Sequence, residues 1–164
     1  MTHVDDTAKL DTPFLREAIR LSRTCMRQGR GGPFGAVIVR GGRIVARGWN
    51  AVTSSLDPTA HAEVVAIRRA CRKLGTFRLD GCVLYTSCEP CPMCLAAAYW
   101  ARIGRLVYAA TRHDAAAAGF DDAFIYDQVP LPPEERSLPT EQLLRDEAVT
   151  VFDAWLAKPD RVPY

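Results

Sequence analysis

Apolar positions recur at helical spacing over residues 12–28, where Phe14, Ala18, Ile19, Ser22, Cys25 and Met26 trace one face. Thr12 is placed to cap this helix, with Pro13 in its first turn. Gly29, Gly31 and Gly32 stop it, and Pro33 demands extended backbone in the residue before it. Two runs rich in β-branched residues, 35–40 and 43–50, flank Gly41-Gly42 and predict an antiparallel hairpin. Residues 50–58 are polar and read as loop. Residues 60–74 read as a helix ended by Gly75, its last turns carrying Arg68, Arg69, Arg72 and Lys73, which complement the helix dipole. A short strand at 82–86, a helix of small residues at 92–100 and a strand at 105–110 follow. The order α-β-β-α-β-α-β predicts a three-layer α/β sandwich whose later strands run parallel after helical crossovers.

Beyond residue 110 the pattern changes. Residues 114–126 contain a short helical piece, a break at Gly119 and Phe120-Asp121-Asp122. Residues 129–139 hold four of the eleven prolines, which excludes a central strand there. A last amphipathic piece is expected over 149–158. This divides the chain into a core of residues 1–128 and a Pro-hinged C-terminal arm, 129–164, belonging to the same domain.

Length and composition support a single domain: 164 residues, 48% hydrophobic and 24% charged, enough to bury a core without disulfides. A net charge of +2, from 21 basic and 19 acidic residues, argues against a dedicated nucleic-acid binder. The arginines at 16, 20, 23, 27 and 30 accordingly read as a solvated helix face. No apolar run approaches the roughly 18 residues of a membrane span, and the first ten residues lack the apolar stretch of a secretory signal. Six cysteines in such a chain point to a reducing, cytoplasmic setting and to metal binding or reactivity in place of disulfides.

Three of those cysteines fall within seven residues, in Cys88-Glu89-Pro90-Cys91-Pro92-Met93-Cys94. Cys91 and Cys94 open the 92–100 helix, where a spacing of three aims both sulfurs at one spot and the helix N-terminus favours thiolates. His61 opens the preceding helix. Together they make three zinc ligands, with a fourth position left for water. Glu63, two residues past the histidine, is free to carry protons. An iron–sulfur run would want a further cysteine near position 98, where the chain has Ala98. A closed structural site of His61, Cys88, Cys91 and Cys94 is the remaining rival, and it leaves Glu63 without a task. The joint pattern is the H-x-E…P-C-x-x-C signature of zinc-dependent nucleobase deaminases.

On these residues the chain resembles the cytidine-deaminase-like superfamily and, within it, the small bacterial guanine deaminases. The likeness runs through residues 31–39, 57–63, 84–94, 99–102, 118–122 with 124–126, and 152–155, and includes the terminal Tyr164. It implies a three-layer α/β/α sandwich around a central mixed five-stranded sheet, one Zn2+ per chain held by His61, Cys91 and Cys94, and Glu63 as proton shuttle. It also implies hydrolytic deamination of a purine base, guanine to xanthine and ammonia. Guanosine, another aminopurine or triazine, cytosine and tRNA adenosine stay open as substrates, as does a non-catalytic zinc module. The substrate contacts implied are Phe34 on the purine face, Asn50 on its polar edge, Ala62, Trp100, Tyr164, and Asp122 with Asp121 in reserve. A carboxylate offers two acceptors to guanine's adjacent ring N–H and amine. The likeness further implies a homodimer that exchanges its C-terminal arms, each arm closing the partner's pocket. Trp49 and Ala51 depart from the pattern, flanking Asn50 where polar residues are expected.

Overall fold

Alternate residues of one buried strand supply both cores of the fold. The structure is a computed structural model; it describes residues 3–120 and 122–163, leaving aside the side chains of residues 3–7. Strand β1 (Gly35–Arg40) sends Ala36 and Ile38 to one face and Val37 and Val39 to the other. On the first face, helices α3 (Ala62–Leu74) and α4 (Pro92–Trp100) pack Ala62, Ala66, Ile67, Ala70 and Ala98 against the sheet. On the second, α1 (His3–Arg27) lays Phe14, Leu15 and Leu21 over Val37, Val39 and Tyr85. The result is the expected helix–sheet–helix sandwich.

The sheet order is β2-β1-β3-β4, with β2 at Arg43–Trp49, β3 at Cys82–Cys88 and β4 at Arg105–Ala110. β1 pairs antiparallel with both β2 and β3, and β3 pairs parallel with β4, so the sheet is mixed and its later strands run parallel. Among the described residues it has four strands, not five. The reason lies at Thr111. Its hydroxyl accepts from the Asp114 N–H while the Asp114 carboxylate accepts from the Thr111 N–H, a capping box that turns the chain from β4 into α5 (Arg112–Ala117).

Four other expectations are corrected. The first helix begins nine residues earlier than residue 12, and Pro13 lies within it. Thr12 is no cap: its hydroxyl donates to the Ala8 carbonyl at 2.7 Å, one turn back. The added turns place Asp11 where Tyr85 donates to it at 2.6 Å and Arg105 at 2.7 Å, joining α1 to β3 and β4. Leu21, not Met26, fills the core, and Met26 is exposed. The loop over 50–58 contains a helical turn, α2 (Val52–Ser55).

The chain divides into two units, up to Asp122 and from Ala123 onward. The second holds α6 (Ala123–Gln128), a 3-10 turn at Pro133–Glu135 and α7 (Arg145–Ala157). Helix α7 starts a turn before residue 149, where Asp146 and Glu147 suit the positive end of its dipole. None of the described residues of this unit is buried, and Val151, Phe152 and Leu156 are each more than 60% exposed. No helix among the described residues is long and apolar enough to cross a membrane.

Candidate functional site

Two helix starts meet at one point. His61 is the N-cap of α3 and Cys91 the N-cap of α4, both in extended conformation, and Pro92 opens α4 where its missing N–H costs nothing. Gly48 of β2 sets the height of α3 over the sheet. A Cβ there would stand 2.1 Å from the Ala62 carbonyl oxygen and 2.6 Å from the Ala66 nitrogen. His61 Nδ1 lies 3.5 Å from the sulfurs of both Cys91 and Cys94. One ligand atom from each of the three residues falls within 4.8 Å of the others.

The electrostatics favour a metal. The Cys94 thiol hydrogen bond, followed by that of His61, holds the Cys91 thiol down at about 4, so Cys91 is a thiolate at neutral pH. The same pairing, together with burial, pushes Cys94 up. His61 is raised, chiefly by its hydrogen bond to Cys91. A tetrahedral zinc with bonds of ~2.0 to 2.3 Å spaces its ligand atoms ~3.3 to 3.8 Å apart. The 3.5 Å separations and the soft S, S, N donor set fit that ion.

Glu63 is buried beside this cluster, and burial raises its pKa. Cys94 Sγ donates to Oε2 at 3.5 Å and the Thr86 hydroxyl approaches Oε1 at 3.4 Å. A carboxyl that burial pushes toward its protonated form is suited to accept and return protons. Thr86, buried in β3, is a site residue that the sequence reading passed over. The signal for it is parity, because Thr86 shares the α3-facing side of the strand with Leu84. Cys88 takes no part in the metal cluster. Its thiol, raised to about 11 by burial, donates to the Thr111 carbonyl at 3.5 Å.

Phe34 packs against the main core and meets Phe120 edge-on, with ring centroids 4.9 Å apart. Asn50 is buried, and its Oδ1 accepts from the N–H groups of Gly32 at 3.1 Å and Val52 at 3.3 Å. That leaves Nδ2 as the remaining polar group of the side chain. The Ala62 side chain is fully buried in the core, which leaves only its backbone facing the helix start. Asp122 lies close enough for its charge to act on His61 and Cys88. Trp100 is 62% exposed at the far end of α4, about 13 Å along the axis from Cys91. Asp121 and Tyr164 lie outside the described residues.

Residues 8–110 match the profile of the cytidine and deoxycytidylate deaminase zinc-binding region. The chain belongs to that family. Zinc is its metal, and the H-x-E and P-C-x-x-C segments of the deaminase family are the ones that converge here. The chain is 57% identical to the guanine deaminase of Bacillus subtilis over 142 residues, 87% of this chain and 91% of that protein. A crystal structure of Bacillus subtilis guanine deaminase superposes with a TM-score of 0.91 at 51% identity, covering 100% of this chain and 99% of that one. Guanine deaminase from Nitrosomonas europaea superposes at 0.64 with 33% identity over 88% of this chain and 84% of that one. The tRNA-specific adenosine deaminase of Aquifex aeolicus is 43% identical over 97 residues, 59% of this chain and 64% of that protein.

Proposed function

We propose that the protein is a guanine deaminase, converting guanine and water to xanthine and ammonia. The observation that carries this reading is the near full-length likeness to a guanine deaminase, which extends well past the zinc region shared with tRNA deaminases. His61, Cys91 and Cys94 would hold the zinc, whose chemistry is that of a Lewis acid that acidifies water. Glu63 takes a proton from the attacking water and delivers it to the adjacent ring nitrogen, then carries the remaining hydroxyl proton from C2 to the amine, so that the C–N bond breaks as the C2 carbonyl forms and ammonia leaves. Phe34 packs on the purine face, and Asn50 donates from Nδ2 to the purine's acceptor edge. Asp122 accepts from the ring N–H and the amine, which fixes which ring carbon is presented. Stoichiometric ammonia and xanthine from guanine are the expected products.

Asp122→Ala is expected to lower kcat/KM for guanine by about 100-fold, the value of one or two charged hydrogen bonds. The melting temperature should stay within a few degrees. Steady-state kinetics beside a thermal melt check this, and an unchanged specificity constant removes Asp122 from the site.

The chain acts as a homodimer whose residues 129–164 form an arm lying on the second copy. Support comes from the second unit itself: it buries no described residue, and α7 displays Val151, Phe152 and Leu156. Truncation after Lys158 is expected to leave zinc content unchanged and to reduce kcat/KM about tenfold by opening the pocket. Full activity in the truncated chain contradicts closure by the arm. Thiolate ligands need a reducing compartment, which supports a cytoplasmic location.

A further inference from the structure

Trp49 ends β2 directly before Asn50, an aromatic residue where the family resemblance leads one to expect a polar one. Two guanidinium groups lie over its indole. Arg69 of α3 is 4.1 Å from the ring centroid, and Arg30, from the loop after α1, is 5.4 Å away. Two like charges gather on one ring because its negative face attracts each of them. Arg69 is itself anchored, donating from Nη1 to the Arg47 carbonyl at 2.9 Å.

The glycine-rich loop that carries Arg30 is knitted to the turn after Trp49. Ser54 Oγ donates to the Arg30 carbonyl at 2.6 Å, Gly32 N–H donates to Asn50 Oδ1 at 3.1 Å, and the Asn50 N–H donates to the Phe34 carbonyl at 3.0 Å. Gly31 sits so close to Asn50, at φ +150°, that a Cβ would stand 2.1 Å from its carbonyl oxygen. The orientation of the Asn50 amide thus depends on where residues 30–32 sit. Residue 30 in turn is held to the body of the fold through Trp49 and Arg69.

We propose that Trp49, stacked with Arg30 and Arg69, is a positioning residue for the purine: it holds the 29–33 loop against Asn50 and so aims Asn50 Nδ2 at the substrate. The proposal rests on the reading of Asn50 as a purine contact. Asn50 serves an edge of the base that does not react, so its loss weakens binding in ground and transition states alike and appears in KM with little change in kcat.

The test is guanine kinetics on Trp49→Ala, Trp49→Phe, Arg30→Ala, Asn50→Ala and the Trp49→Ala/Asn50→Ala pair, with a thermal melt of each. Trp49→Ala is expected to raise KM about tenfold with kcat within about twofold of wild type, and Trp49→Phe to recover most of the loss. Arg30→Ala removes an exposed side chain, so it reports on the loop even where Trp49→Ala fails to fold. An increase in KM of about threefold is expected for it. The double variant should be no worse than Asn50→Ala alone. Additive effects, or an unchanged KM in Arg30→Ala beside a raised KM in Asn50→Ala, overturn the positioning role while leaving Asn50 as a contact. Wild-type kinetics in Asn50→Ala overturn both.

Discussion

Glu63→Gln keeps the protein folded and its zinc at about one per chain, and lowers guanine turnover by about 10³-fold or more, toward the upper range for loss of a general acid–base group. The substitution is nearly isosteric, so the buried space beside Cys94 and Thr86 stays filled. Burial already disfavours the Glu63 carboxylate, so a neutral amide in its place suits the buried position. The amide keeps an oxygen for Thr86 but cannot take a proton from water. Measured kcat, metal content and melting temperature separate the outcomes. Wild-type turnover would remove Glu63 from proton transfer, and lost zinc or stability would make its role structural.

Cys91→Ala is expected to abolish both metal and activity, with zinc falling from about one per chain to a small fraction after dialysis, because two remaining ligands do not make a zinc site. Cys88→Ala is the contrasting variant. Cys88 bonds to the Thr111 carbonyl and stands apart from His61, Cys91 and Cys94, so its replacement should cost some stability and leave zinc at about one per chain. Metal analysis of the two purified variants decides between a three-residue centre with an open position and a closed four-residue one. Loss of zinc from the Cys88 variant would favour the closed site.

The metal cluster was legible because its chemistry limits both residue type and spacing. Cys91 and Cys94 are three apart at a proline-opened helix, and His61 and Glu63 share the first turn of another. Punctuation by Gly75, Gly41-Gly42 and Pro92 likewise marks boundaries that the fold respects. Other features depended on partners far along the chain. Thr12 reads locally as a cap, yet its hydroxyl turns back to Ala8 and the helix runs on through Pro13 toward the Asp11–Tyr85–Arg105 cluster. Thr86 reads as the end of a strand, and its meeting with Glu63 follows from how α3 lies on the sheet. The grouping of Arg30, Trp49 and Arg69 joins a loop, a strand and a helix, and no local pattern announces it. The fifth strand was carried in by resemblance, and the capping box at Thr111 takes the chain elsewhere.

The most direct test is ammonia release by the zinc-loaded protein offered guanine, guanosine, cytosine and an adenosine-containing tRNA in parallel, with the purine product identified by its absorbance. Guanine should give the highest kcat/KM and yield xanthine in equal amount with ammonia. An enzyme inert toward guanine, or one that favours another of these substrates, would contradict the assignment.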